Sequence, residues 1–139
     1  MKIIIKICKI ALIIIILTLF CIALLIRSCD DFVSRDEILR LTSPDQQVDA
    51  VMVEINAGAT TAYVYKVYLM PTGKKPVEHD KHVFGATHLD DWKIKWLDSN
   101  RVVIIYSRAD IFHYTNYKDI QLFHPIKGEQ TKRIEILLR

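Results

Sequence analysis

Residues 78–91, EHDKHVFGATHLDD, concentrate the side chains best suited to chemistry in this sequence. Imidazoles and carboxylates are ligands for zinc and other divalent ions. If the chain turns at Gly85, the histidines on its two sides can converge on one ion. The spacing lacks the fixed geometry of a helical histidine pair, however, and a solvated charged loop is the alternative. We expect no resident metal or cofactor, and the candidate ligands are His79, His82, His88 and Asp90.

A second candidate site is the turn Gly58-Ala59-Thr60-Thr61. A glycine-containing turn can direct successive backbone N–H groups at an anion, and the two hydroxyls can assist. A phosphate-binding loop needs more glycines, a lysine and a following helix, whereas a strand is predicted to follow this turn. In the structural alternative, Gly58 supplies a positive φ and the threonines favour β structure. The candidate binding residues are Gly58, Thr60, Thr61, Tyr63 and Tyr65.

The two tyrosines belong to that set because strand residues two apart point to the same face. Aromatic side chains are enriched in protein interfaces, and core packing with hydroxyls at the edge is the alternative.

No serine has the context of a nucleophile elbow. No cysteine follows Cys29, which excludes cysteine-based catalysis beyond it. We therefore expect no catalytic residues and no enzymatic activity.

Alternation with a period of two residues dominates the chain after residue 42. Strands are predicted near residues 51–56, 61–70, 92–97, 101–107 and 132–138, and residues 109–124 are ambiguous. The pattern predicts an all-β domain at 42–139 with five or six antiparallel strands, arranged as a meander, small sandwich or barrel-like sheet. The alternative is an α+β fold with a short helix packed on the sheet. Residues 28–41 are predicted to form a stalk or short amphipathic helix.

The segment Val102-Val103-Ile104-Ile105 is apolar on both strand faces. Such a strand is usually central and covered on both sides. We expect the cover to be an internal layer, for instance the helix at 30–41 or the segment at 109–124. The alternative cover is a partner protein.

Residues 1–27 predict a membrane anchor. Seventeen uncharged residues, Ile10 to Ile26, would span about 26 Å as a helix. Ile7 and Cys8 lengthen the span if Lys9 extends to the headgroups. A cleaved signal usually has an apolar region of about 7–15 residues. The length therefore favours a retained transmembrane helix that contacts the bilayer through residues 7–27.

The charges predict which side of the membrane the remainder occupies. Four of the 19 basic residues and none of the 16 acidic residues precede residue 28, so residues 28–139 carry 15 basic and 16 acidic groups. Lysines before the span keep that end cytoplasmic. We expect a single-pass protein of the bacterial inner membrane with a periplasmic domain. Without a concentrated basic face, we expect no nucleic-acid partner. The basic residues ahead of the span are Lys2, Lys6 and Lys9.

Cys29 permits an alternative, a lipoprotein signal ending in Ile26-Arg27-Ser28-Cys29. The isoleucine and serine fit a lipidation site. Arg27 does not, because a charge there must enter the membrane-embedded site of the peptidase. Both interpretations place the domain on the same outer surface.

Several motifs in order resemble a family of small, uncharacterised bacterial envelope proteins. These proteins join an anchor or lipoprotein signal to a domain with the pattern SPDGK, AVxVE, GATT and WxD. The resemblance covers about residues 42–107 and supports the location and the fold, with no activity implied. Gln46 stands where glycine usually completes the turn, and Ala57 where glycine or cysteine often precedes GATT. The matching segments are Ser43-Pro44-Asp45, Asp49 to Glu54, Gly58 to Thr61 and Trp96-Leu97-Asp98.

These observations predict an exported, non-catalytic module that binds an envelope protein. One alternative is a periplasmic immunity protein that neutralises a toxin. Another is a metal-binding or enzymatic module centred on residues 78–91.

Overall fold

A computed structural model describes residues 1, 12–24, 33–58, 61–124 and 128–139. The chain divides into two compact units, Met1–Val33 and Ser34–Arg139. In the first unit, residues 12–24 form a helix. No helix among the described residues is long and apolar enough to cross a membrane. The predicted apolar span extends beyond the described residues at both ends, and Cys29 lies outside them.

The second unit is built of strands, which confirms the predicted β character. The structure has nine described strands, so the predicted number of five or six is wrong. Their bounds are β1 (Ser34–Thr42), β2 (Val48–Asn56), β3 (Val64–Pro71), β4 (Phe84–Asp90), β5 (Lys93–Asp98), β6 (Arg101–Ile105), β7 (Arg108–Tyr114), β8 (Tyr117–His124) and β9 (Gly128–Leu138).

The strands form two sheets. One has the order β1-β2-β3-β4-β7 and the other β5-β6-β9-β8. All neighbours are antiparallel except β6 and β9, which are parallel. The predicted simple antiparallel meander is therefore wrong, because β7 joins the first sheet and β8 the second. The predicted central position of the 102–105 strand is confirmed, since β6 lies between β5 and β9.

The helix predicted within residues 28–41 is also corrected, because the described part of that segment belongs to strand β1. Leu39 and Leu41 alternate toward the apolar core, and Arg40 between them points away from it, toward Asp49. Pairing with β2 stabilises the extended conformation, whereas a short isolated helix is only marginally stable in water. Ile38 is an extra residue that forms a bulge. The bulge interrupts the alternation of inward and outward residues by which the sequence would indicate a strand.

Side chains from both sheets meet in one apolar core, so the unit is a sandwich. The indole Nε1 of Trp96 on β5 donates to the carbonyl oxygen of Leu41 on β1 at 2.9 Å, which links the two sheets. The motif tryptophan thus has a structural role. Core residues with no more than 1% exposure include Val48, Ala50, Met52, Val67, Leu69, Phe84, Val102, Ile104, Ile134 and Ile136.

A second apolar cluster lies on the opposite face of β2 and β3. It contains Val51, Val53, Ile55, Tyr68 and Met70, all buried. Tyr68 is only 2% exposed despite lying on the outer face of the sheet. Something other than the second sheet must therefore cover this face.

The cover is the segment 72–82 between β3 and β4, which we call the covering segment. Its residues Pro76 and Val77 share a cleft of about 220 Å³ with Val53 and Tyr68. Residues 30–41 and 109–124 were predicted to cover the strand at 102–105, which is a different surface, and their described parts supply the strands β1, β7 and β8. The polar composition of residues 72–82 concealed their role.

The carboxylate of Asp49 fixes the start of the covering segment. It is 1% exposed and accepts hydrogen bonds from Arg40 Nη1 at 2.6 Å, Thr42 Oγ1 at 2.8 Å and the backbone N–H of Gly73 at 2.9 Å. Burial alone would raise the pKa of this carboxyl, but the three donors outweigh burial and hold its pKa below the ordinary value. Arg40 also donates to the carbonyl oxygen of Lys74 at 3.1 Å.

The motif Ser43-Pro44-Asp45 forms the turn between β1 and β2. The buried Ser43 hydroxyl donates to Asp45 Oδ1 at 2.7 Å and accepts from the Val48 N–H at 3.1 Å. Asp45 also accepts from Lys132 on β9. Gln46 completes the turn with a φ of 60°, the left-handed conformation that favours glycine.

We predict that Gln46→Gly stabilises the protein by about 0.5–1 kcal/mol. A non-glycine residue in the left-handed region costs roughly 1–2 kcal/mol, and the greater freedom of glycine in the unfolded chain offsets part of the gain. Urea denaturation of the full chain measures the change. Gln47→Gly is the control, because Gln47 is not among the positive-φ residues and the same replacement should destabilise. Equal effects at both positions would contradict the prediction.

Candidate functional site

The four predicted metal ligands do not come together. His79 is exposed on the covering segment, whereas His88 and Asp90 lie on β4, with His82 just before that strand. Within the described part of the chain, no group of three or more histidine, cysteine, aspartate or glutamate side chains is placed to hold a metal ion. Gly85 does not turn the chain back on itself, because it lies inside β4.

His88 instead pairs with a neighbouring strand. Its Nδ1 lies 2.9 Å from Asp110 Oδ2 on β7, and both side chains are more than half exposed. His88 and Asp91 have φ values of 49° and 48°, so the end of β4 is irregular. Ser107 stabilises this irregular end, because its hydroxyl donates to Asp91 Oδ2 at 3.1 Å. These contacts link the end of β4 to β7 and to the residue that precedes β7.

The GATT turn also has a structural explanation. Gly58 has a φ of 108°, and its N–H donates to Asn56 Oδ1 at 3.0 Å. Thr61 donates through its hydroxyl to the Gly58 carbonyl oxygen at 3.0 Å. Thr60 lies outside the described residues. Tyr63 is 48% exposed ahead of β3, whereas Tyr65 is half-buried and packs against the core.

A pocket of about 330 Å³ brings together residues that are distant in the sequence. His82 enters it from the covering segment, His113 from β7 and Lys118 from β8. The two imidazole rings meet edge to face, with centroids 4.6 Å apart. His113 Nε2 donates to the His82 carbonyl oxygen at 3.1 Å, and Lys118 Nζ donates to the Lys81 carbonyl oxygen at 2.7 Å.

The electrostatics of this pocket disfavour protonation. Burial lowers the pKa of His82, and the positive charges of Lys66 and Lys118 and the neighbouring His113 lower it further. The Nε2 atom of His82 is buried and has no hydrogen-bond partner among the residues that the structure describes. Burial also lowers the pKa of Lys118. The pocket therefore holds basic groups that a bound anion would stabilise in their charged forms.

Gly85 allows the aromatic wall of this site to form. A Cβ atom at residue 85 would lie 2.6 Å from Phe112 Cε2, 2.7 Å from Phe112 Cζ and 3.0 Å from His82 Nε2. The Phe112 ring thus lies directly over the backbone of β4. Phe112 is the additional residue of a bulge, between His113 paired with Gly85 and Ile111 paired with Ala86. The bulge directs the ring onto the glycine.

Strand β7 forms an exposed edge beside the pocket. On one side it pairs with β4, and no other described strand pairs with it. All five residues from Asp110 to Tyr114 are exposed, including Ile111 at 38% and Phe112 at 55%. An unpaired strand edge offers backbone N–H and C=O groups to an incoming strand.

Of the pocket residues, the sequence singled out only His82. His113, Lys118 and Phe112 lie in the ambiguous segment 109–124, and they meet His82 only because β7 and β8 enter different sheets. The available signal was the run Phe112-His113-Tyr114, in which aromatic residues and a histidine succeed one another with no period. Such a run lacks the strict alternation that identifies a half-buried strand.

Comparison with known proteins identifies the family. The model of a family of unknown function, DUF5412, matches residues 1–119, and the chain belongs to this family. The match confirms that the chain belongs to an uncharacterised family. No curated protein and no solved structure matches the chain.

We predict that Gly85→Ala destabilises the protein by about 1 kcal/mol, because the new methyl group must displace the Phe112 ring. In the Phe112→Ala background most of this cost should disappear, which gives a coupling free energy of about 1 kcal/mol in a double-mutant cycle. Urea denaturation of the four proteins measures it. Phe123→Ala, at an exposed phenylalanine on β8, is the control and should leave the cost of Gly85→Ala unchanged. Identical costs in all backgrounds would contradict the contact.

Proposed function

We propose that this member of the DUF5412 family is a membrane-anchored envelope protein whose β domain binds another protein and catalyses no reaction. The observation that carries the binding role is the exposed edge of β7. The anchoring role derives from the charge pattern and the apolar run of residues 10–26. The two roles are supported by different residues, and each has its own test.

Strand addition is the binding mode that fits β7. In this mode an extended segment of the partner pairs with a free sheet edge, where main-chain hydrogen bonds supply affinity and side-chain contacts supply specificity. The partner's side chains would meet Ile111 and Phe112, which are apolar and exposed. Aromatic anchors of this kind are common in interface centres.

The other sheet edges fit this role less well. In β1 the exposed residues are mainly charged or polar. In β5 exposed lysines alternate with core residues. Charged side chains on an edge protect it against unwanted pairing. Strand β8 carries Phe123, which is 80% exposed, but Tyr117 at its other end lies under the Arg133 guanidinium at 4.8 Å.

For the binding role, we predict that a photo-crosslinking phenylalanine analogue at residue 112 captures one discrete partner protein in intact cells. The analogue at Phe123 is the matched control and should not capture it. Ile111→Asp should reduce the yield at residue 112 about tenfold or more, because burying an unpaired carboxylate opposes docking. Gel electrophoresis and mass spectrometry measure the product. The same product from both positions, or an unchanged yield with Ile111→Asp, would contradict docking at β7.

For the anchoring role, Lys2, Lys6 and Lys9 support a cytoplasmic N-terminus by the positive-inside rule. The β domain would then lie outside the cytoplasmic membrane, where an uncleaved span or a lipid on Cys29 would hold it equally well.

We predict that external protease digests a C-terminal epitope on the full chain in intact spheroplasts. A cytoplasmic marker protein in the same cells should stay intact, which controls for lysis. An epitope that survives until the cells are lysed would contradict the outward orientation. Fractionation into the soluble phase would contradict anchoring itself.

A further inference from the structure

The pocket beside β7 combines four basic residues from separate parts of the chain. Lys81 and His82 come from the covering segment, His113 from β7 and Lys118 from β8. Lys118 uses one donor on the Lys81 carbonyl oxygen, so its ammonium group retains two further N–H donors. The side chains of Val83 and Thr115 complete the wall.

Two acidic residues lie near the pocket, and each already has another hydrogen-bond partner. Asp119 lines the pocket, but Arg133 binds it through two hydrogen bonds, at 2.7 and 2.9 Å. Burial is the largest influence on Lys118 and lowers its pKa, whereas the negative charge of Asp80 acts in the opposite direction. Asp80 Oδ2 also accepts from the Val77 N–H at 2.8 Å. A ligand that supplies negative charge would therefore be stabilised here.

We propose that this pocket binds a carboxylate group of the partner chain that pairs with β7, with Lys118 as the principal ligand and His113 beside it. The proposal rests on the proposed function, because it names the chemistry that the partner presents. One unit of negative charge suits a site with two lysines and two histidines. The pocket contains no arginine, the residue best matched to phosphate.

Affinity for the carboxylate should rise as the pH falls. The groups facing His82 are Tyr68 and Lys66 on β3, His113 and Phe112 on β7, and Lys118 on β8. The cationic members oppose its protonation in the free protein. A bound anion attracts the added proton, so binding raises the pKa of His82. By linkage, a pH fall through the histidine range strengthens binding until the carboxylate itself becomes protonated.

The test uses acetate as the probe and the full chain in detergent micelles. Histidine side-chain resonances are followed by NMR during titration with sodium acetate at constant ionic strength maintained with sodium chloride. We expect saturable shifts of His82 and His113, and roughly threefold or greater tightening between pH 8 and pH 6. Lys118→Met should weaken binding about tenfold or more. Lys95→Met, at an exposed lysine of β5, is the matched control and should have no effect.

Three results would overturn the proposal. Acetate shifts that do not saturate or that persist in Lys118→Met would mean that this pocket is not the site. Acetate affinity that is unchanged between pH 8 and pH 6 would show that the histidines do not contribute to the site. Inorganic phosphate that binds about tenfold tighter than acetate would overturn the carboxylate assignment. Acetate binding needs no partner, so its failure is distinguishable from failure to crosslink at residue 112.

Discussion

The buried carboxylate of Asp49 on β2 joins three parts of the β domain, namely β1, β2 and the covering segment. Its donors come from β1, through Arg40 and Thr42, and from the start of the covering segment, through Gly73. An ionised group can remain in an interior only when hydrogen bonds replace its hydration. Leaving even one buried polar group without a partner costs about 1–3 kcal/mol. The carboxylate therefore reinforces the backbone pairing of β1 with β2, and it ties the start of the covering segment to both strands.

The link between Asp49 and the covering segment affects both the outer face of the first sheet and the pocket. The covering segment starts with Gly73 bound to Asp49, and it continues past Val53 and Tyr68 on the apolar outer face of the sheet. The same segment ends at His82, which it delivers to the pocket between β7 and β8. The candidate site is thus a product of how the fold covers its second apolar cluster. A change in the covering segment would alter stability and the pocket together.

The sequence predicted the β class and the strong central strands because their signals are local. Alternation and the turn residues at Ser43-Pro44-Asp45 and Asp98-Ser99-Asn100 are visible in windows of a few residues. Strand β1 was missed because the bulge at Ile38 changes the alternation partway along the strand. The covering role of residues 72–82 was missed because it depends on backbone contacts and a few apolar side chains within a polar stretch.

The candidate site was harder to predict than the fold, because the sheet topology brings together residues that are distant in the sequence. His82 and His113 are 31 residues apart in the chain, and they meet because β7 pairs with β4 while β8 crosses to the other sheet. No spacing rule encodes that crossing. The segments on which the resemblance rested, in contrast, contain residues that stabilise the fold, such as Trp96 and Asp49.

The bulge in β7 limits the apolar surface that this edge exposes to a second copy of the same protein. A long, flat, apolar edge strand invites pairing with another copy of the same protein, and bulges interrupt such pairing. In β7 the bulged residue is Phe112, whose ring turns onto Gly85 and so covers part of the β4 backbone and His82. The exposed apolar surface is thereby confined to a short stretch next to a basic pocket. A second copy would bring its own lysines and histidines to that pocket, whereas an acidic segment would complement it. Charge and strand geometry together favour a different chain over self-association.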